Sequence, residues 1–114
     1  MTSSNSFKFK RGEVYLIEEH ATQGSEQKKT RPWVIVGANS INSARSTILA
    51  VPLSTQAPVK PPLSVSVYFN NSNVTAVIDQ LRALNKKRFL RFEGSLSMYE
   101  INLIDDGLRS VLAL

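Results

Sequence analysis

Residues 24–32 carry the side chains best suited to phosphate chemistry in this chain, and they join two apolar runs. Glu26 supplies a carboxylate, Thr30 a hydroxyl, and Arg31 a planar guanidinium that can hold a phosphate through two parallel hydrogen bonds. A carboxylate and a cation beside a phosphate can also move protons during a reaction. Polar loops are common, so this segment alone leaves open a solvated hairpin loop without a function.

Two further segments, residues 51–56 and 77–82, place polar side chains directly after apolar runs. These side chains are Ser54, Thr55 and Gln56 in the first segment, and Asp79, Gln80 and Arg82 in the second. Each set alone is typical of turns and caps. The basic residues 86–88 that follow are typical of a solvated face. The occurrence of all three segments in this order is what favours a functional site.

The composition predicts one small domain with an anionic partner. The chain has 114 residues, 42% of them hydrophobic, which suits a single core. Its 14 Lys and Arg outnumber its 9 Asp and Glu, and a net charge of +5 favours nucleic acid or an acidic protein tail. The chain has no cysteine, which excludes disulfides, thiolate zinc sites and cysteine nucleophiles. His20 cannot form a zinc site alone, so we expect no metal and no cofactor.

The sequence also predicts a protein of the cytoplasm with no membrane partner. Residues 1–6 lack the apolar core of a signal peptide. No run approaches the roughly 20 apolar residues that a membrane span needs.

The elements that must position these side chains are mainly strands. Strands are expected at residues 12–18, 33–37, 47–53, 64–69, 74–79 and 88–94. Turns are expected at residues 38–46 and 70–73, and a helical turn at residues 82–87. Residues 1–10 are expected to form a flexible arm, and residues 11–114 a single domain. Short strands with irregular loops predict a small, partly open barrel.

The C-terminal segment differs, because its pattern is helical. Ser97 followed by Glu100 is a capping box, and apolar residues then recur at helical spacing from Ile101 onward. Asp105 and Arg109 stand four residues apart, so we expect them to pair on the outer face. The sequence therefore predicts a mainly β barrel with a C-terminal amphipathic helix.

Four ordered blocks of this chain resemble the MazF/PemK (Kid) toxins of type II toxin–antitoxin systems. The blocks are residues 12–15, residues 24–27 with Arg31 and Pro32, residues 51–54, and Asp79-Gln80 with Arg82. The resemblance covers residues 11–114 and implies an SH3-like barrel that forms a homodimer. It also implies a metal-independent endoribonuclease that cuts single-stranded RNA at short sequences. A cognate antitoxin, expected to be small, acidic and partly disordered, would hold it inactive.

The resemblance also implies roles for residues. Arg31 becomes the principal catalytic residue, Ser54 donates a hydroxyl to the phosphate, and Glu26 is the first candidate for the local base. Many members carry Thr where this chain has Ser54, so the adjacent Thr55 stays open as the effective hydroxyl. The expected RNA-binding residues are Gln27, Lys28, Lys29, Thr30, Thr55, Gln56, Asp79, Gln80 and Arg82. Some relatives use a His after the loop Gly, and Ser25 at this position argues against that scheme here.

RNA cleavage without a metal can use the 2′-hydroxyl of the RNA itself as nucleophile. It needs a base for the hydroxyl proton, a cation for the developing charge on phosphorus, and an acid for the leaving 5′-oxygen. The products are a 2′,3′-cyclic phosphate and a 5′-hydroxyl.

Two other functions fit the same pattern. The CcdB toxins share the implied fold and poison gyrase without cutting RNA, and a non-catalytic nucleic-acid-binding barrel fits the basic charge. Dimerisation is expected because the apolar residues exceed what one small core hides. The residues in question are Trp33, Leu49, Leu53, Phe89, Phe92 and residues 108–114.

Overall fold

The structure is a computed structural model that describes residues 7–19 and 29–114, and these residues form one seven-stranded antiparallel sheet with a C-terminal helix. The strands are β1 (Glu13–Glu19), β2 (Lys29–Ile35), β3 (Thr47–Ser54), β4 (Ser64–Phe69), β5 (Ser72–Val77), β6 (Arg82–Asn85) and β7 (Phe89–Ser95). The helices are α1 (Asn39–Ala44) and α2 (Met98–Leu112), and 3-10 turns lie at Ile78–Gln80 and Lys86–Arg88. The strand order is β4-β5-β3-β2-β1-β7, and β6 pairs with β3.

Strand β3 connects the parts of the sheet. Its first half pairs with β6, from Thr47 opposite Asn85 onward, and its middle pairs with β2, with Pro52 opposite Trp33. Its last residue, Ser54, pairs with β5. The strand is therefore held along its whole length, and its end is placed rigidly.

The apolar side chains of the central strands alternate between two buried clusters. One cluster contains Tyr15, Ile17, Trp33, Ile35, Ile48 and Ala50, and the other contains Val14, Val34, Val51 and Leu53. Successive side chains of a strand point to opposite faces of the sheet. The apolar residues of β2 and β3 therefore form continuous runs, because both faces of these strands are buried. Helix α2 covers the second cluster through Ile101, Ile104 and Leu108.

Residues 7–10 are not part of a free arm, in contrast to the expectation for residues 1–10. Phe9 is 7% exposed, and its ring centroid lies 5.2 Å from that of Phe89. Phe7 contacts Tyr15 edge-on at 5.1 Å. Burial, followed by the hydrogen bond to Glu13, raises the pKa of Tyr15 to about 12, so its phenol stays protonated at neutral pH. Residues 1–6 lie outside the described part of the chain.

The sequence predicted most strands but misplaced one element. Strand β4 has the expected bounds, whereas residues 82–85 form β6 instead of a helical turn. The reason is non-local, since β3 offers a free edge on which Ala83 pairs with Leu49. The expected turn over residues 38–46 contains the short helix α1.

Helix α2 begins as its capping box predicts. The Ser97 hydroxyl accepts the backbone N–H of Glu100 at 3.3 Å. The expected pair between Asp105 and Arg109 is wrong, because Asp105 binds Arg11 while Arg109 donates to Asp106 at 2.8 Å. The Arg11–Asp105 ion pair thus ties α2 to the segment before β1.

Part of the apolar surface expected to remain exposed is buried within the chain itself. Trp33, Leu53 and Phe89 belong to the core. Leu49, Phe92, Leu112 and Leu114 are exposed as expected. No helix in the described ranges is long and apolar enough to cross a membrane.

Candidate functional site

A cavity of about 300 Å³ lies where β2 begins and β3 ends. Its lining residues come from four strands, β2, β3, β4 and β5, or from their ends: Thr30, Arg31, Pro32, Leu53, Ser54, Thr55, Gln56, Phe69 and Val74. The strand register explains why two distant segments meet here. Trp33 pairs with Pro52 across antiparallel strands, and continuing this register by two residues brings Arg31 opposite Ser54.

The Ser54 hydroxyl is fixed by the turn that follows β3. Its oxygen accepts the backbone N–H groups of Gln56 and Ala57, each at 3.0 Å. A serine hydroxyl has two acceptor lone pairs and one proton to donate. Because both lone pairs are used, the remaining capacity of this hydroxyl is to donate. It is therefore suited to binding an anionic oxygen and not to removing a proton.

Arg31 stands between this cavity and a second one of about 250 Å³. The second cavity is lined by Glu19, Arg31, Trp33, Gln80, Arg82 and Arg88. The Nε atom of Arg31 lies 3.6 Å from Oε2 of Glu19, and 40% of the Arg31 side chain is exposed. This long, partly solvated contact leaves the guanidinium available to an anion.

Glu19 is itself held in place by a buried aromatic side chain. The indole N–H of Trp33 donates to Oε2 of Glu19 at 3.0 Å, and Trp33 is only 2% exposed. A buried indole N–H needs an acceptor, so this bond fixes the carboxylate. The same oxygen faces Arg31, and Trp33 lies two residues beyond Arg31 on the same face of β2.

Glu19, Trp33 and Arg88 were missed as site residues in the sequence. Their local patterns are those of a strand end, a core aromatic and a solvated basic run. One signal in the sequence could have indicated a shared site: Arg31 and Trp33 are two residues apart in a strand, so their side chains lie on the same face. Arg88 is anchored by its Nε atom, which donates to the backbone carbonyl of Glu18 at 3.0 Å.

The structure brings together many of the site residues predicted from the sequence. Arg31, Thr30, Ser54, Thr55 and Gln56 line the first cavity. Gln80 and Arg82 line the second cavity together with Arg31.

Two further predicted residues, Lys29 and Asp79, are described by the structure but do not line either cavity. Lys29 is exposed at the start of β2, and Asp79 is exposed on the turn Ile78–Gln80. Glu26, Gln27 and Lys28, like His20, lie outside the described residues.

Among the residues that the structure describes, few carboxylates lie at the two cavities. Within residues 7–19 and 29–114, Glu19 is the only carboxylate that lines either cavity. The same residues hold no group of three or more His, Cys, Asp or Glu side chains that could bind a metal ion. The chemistry that these residues offer is that of guanidinium groups and hydroxyls toward an anion.

An antiparallel sheet of this order with a C-terminal helix has the MazF-like fold, which confirms the predicted fold class. A family model described as "PemK-like, MazF-like toxin of type II toxin-antitoxin system" matches residues 10–112. The chain belongs to this family, as the sequence blocks predicted.

Solved structures agree with this assignment of the fold. A mycobacterial endoribonuclease in complex with its cognate antitoxin is 24% identical, with a TM-score of 0.75 over 92% of this chain and 95% of that chain. A MazE–MazF crystal structure from Deinococcus radiodurans has a TM-score of 0.82 at 17% identity, over 96% and 99% of the two chains. The Mycobacterium tuberculosis toxin MazF-mt6 has a TM-score of 0.71 at 13% identity, over 90% and 97%.

Proposed function

We propose that this toxin is an endoribonuclease that cuts single-stranded RNA without a metal ion. The observation that carries the proposal is the cavity that Arg31 and the Ser54 hydroxyl share. A cation and a donor hydroxyl on one cavity provide what a phosphate needs as negative charge develops on it. The similarity in fold to proteins described as endoribonucleases supports the same reaction.

In the proposed reaction, the 2′-hydroxyl oxygen of one nucleotide attacks the adjacent phosphorus as a base takes its proton. The bond from phosphorus to the 5′-oxygen then breaks, and that oxygen takes a proton from water. Arg31 neutralises the charge on the phosphate oxygens, and Ser54 donates its remaining proton to one of them. Glu26 is the proposed base, from its position in the sequence five residues before Arg31.

Cleavage should persist in excess EDTA, because protein side chains supply both the proposed base and the groups that neutralise the charge on the phosphate. The test is incubation of the purified toxin with a long single-stranded RNA, with and without EDTA, followed by analysis of the product ends. We expect 2′,3′-cyclic phosphate and 5′-hydroxyl ends in both samples. A strict need for Mg²⁺, or products with 5′-phosphates, contradicts the mechanism. Intact RNA together with inhibited gyrase would favour the CcdB-like alternative.

We further propose that the toxin acts as a homodimer and that an acidic, partly disordered antitoxin segment competes with RNA for it. The support is the net charge of +5 and the exposed apolar side chains Leu49, Phe92, Leu112 and Leu114. Antitoxin-bound structures of the mycobacterial and Deinococcus proteins support the antitoxin as a partner.

Sedimentation equilibrium at micromolar concentration should give twice the mass of the 12.7 kDa chain. Exposed apolar side chains would be removed from water in such a dimer, and this is the physical reason to expect it. The Leu49→Glu variant should shift the equilibrium toward monomer if this side chain is in the interface. A monomeric wild-type protein that cuts RNA at its full rate would contradict the dimer.

A further inference from the structure

We propose that the cavity lined by Arg31, Arg82 and Arg88 binds a second phosphate of the same RNA strand, next to the phosphate held at Ser54. This inference rests on the proposed function, because the strand is taken to be the substrate. It adds a second contact that fixes the path of the RNA on the surface.

The charge of the second cavity is the first argument. Among residues 7–19 and 29–114, three guanidinium groups and one carboxylate, that of Glu19, line this cavity. Glu19 accepts the indole N–H of Trp33 and lies 3.6 Å from Arg31, and its single negative charge offsets one of the three positive charges. The salt bridges within residues 7–19 and 29–114 do not include Arg82. A net excess of positive charge therefore faces the solvent and favours an anion.

The rigidity of the second cavity is the next argument. Arg82 belongs to β6, where it pairs with Ala50 of β3, the strand that also carries Ser54. Arg88 is anchored through Nε to the backbone of β1, and its terminal N–H groups are additional donors. The backbone of Arg82 and the side chain of Arg88 are thus in place before an anion binds, which reduces the freedom lost on binding.

The position of Arg31 between the two cavities favours a second phosphate of the RNA as the anion. Arg31 lines both cavities, so a strand whose phosphate lies at Ser54 passes directly beside the second group of arginines. A neighbouring phosphate of that strand is bound with little added loss of freedom, because the first contact has already placed it. An acidic side chain of a protein partner could also occupy the second cavity, but it would not be connected to a phosphate at Ser54.

The experiment uses an RNA oligonucleotide that contains one mapped cleavage site and a 2′-O-methyl group there, which prevents cutting. Each phosphate in turn is replaced by a neutral methylphosphonate, and binding is measured by fluorescence anisotropy. Wild-type protein, Arg82→Ala and the control Arg109→Ala are compared. Arg109 is a suitable control because it is exposed and pairs only locally with Asp106 on α2.

Arg82→Ala should weaken binding of the unmodified RNA about tenfold, the effect of a lost charged hydrogen bond. In the wild type, a methylphosphonate at one position other than the scissile phosphate should lower the RNA affinity by the same factor. At that position Arg82→Ala should show no further loss, and Arg109→Ala should match the wild type throughout. Glu19→Gln keeps an oxygen for Trp33 but removes the negative charge, so it should strengthen RNA binding severalfold.

Two results would overturn the second site. One is equal RNA affinity for Arg82→Ala and the wild type. The other is an Arg82→Ala effect that adds to the methylphosphonate effect at every phosphate position. The same holds if Arg82→Ala weakens only the binding of a poly-Glu peptide. If the toxin cuts no RNA, the proposed function fails and a random 2′-O-methyl oligonucleotide replaces the mapped one. The second site then predicts that Arg82→Ala lowers the slope of log affinity against log salt by about 0.7, and an unchanged slope overturns it.

Discussion

Replacement of Arg31 by Ala should lower kcat/KM for RNA cleavage by about 10²- to 10³-fold. Loss of one preorganised donor to a developing anion costs about 3–4 kcal/mol, which corresponds to this factor. Arg31 faces both cavities, so its loss should also weaken RNA binding. The measurement is single-turnover cleavage of an RNA with one mapped site at a series of protein concentrations, which gives both the maximal rate and the apparent affinity.

The fold should survive this substitution. The Arg31 side chain is 40% exposed, and its contact with Glu19 is 3.6 Å long, which is worth little in stability. The melting temperature should therefore stay close to that of the wild type. Arg31→Lys separates charge from geometry, since Lys lacks the planar fork, and we expect it to remain strongly impaired.

Arg109→Ala is the matched control, because among the described residues this arginine pairs only with Asp106 of the same helix. It should cut at the wild-type rate. A wild-type rate for Arg31→Ala would instead mean that the cleavage site lies elsewhere on the protein. An unfolded Arg31→Ala variant would mean that Arg31 contributes more to stability than its 3.6 Å contact with Glu19 indicates.

The fold could be predicted from the sequence wherever local signals decide the structure. Ser97 and Glu100 mark the start of α2 because a capping box acts over a few residues. The strand β6 could not be predicted in this way, because residues 82–85 become a strand only through pairing with β3. The misassigned partner of Asp105 has the same cause, since Arg11 is distant in sequence and adjacent in space.

The site shows the same division between local and non-local information. Arg31 and Ser54 could be singled out because their segments occur in a specific order, and the register of β2 with β3 then brings them to one cavity. The role of Glu19 could not be predicted. It depends on an indole N–H from the core that reaches the edge of the cavity. A sequence pattern carries no record of that contact.

Replacement of Ser54 by Ala should lower the cleavage rate by about tenfold to a thousandfold, because it removes a donor to the scissile phosphate. The substitution also leaves the N–H groups of Gln56 and Ala57 without their acceptor, so it can loosen the turn. Ser54→Thr keeps both the acceptor and the donor, and it should retain activity. The measurement is single-turnover cleavage, with the affinity for a 2′-O-methyl RNA measured in parallel.

Thr55→Ala decides between the two neighbouring hydroxyls. Ser54 ends β3 in register with Thr75, and its lone pairs are occupied in a way that leaves its proton for the substrate. Thr55 is exposed one residue beyond the strand. If Ser54 is the donor, Thr55→Ala should cut within a few-fold of the wild-type rate. A large loss confined to Thr55→Ala would move the catalytic hydroxyl to Thr55 and leave Ser54 as the residue that shapes the turn.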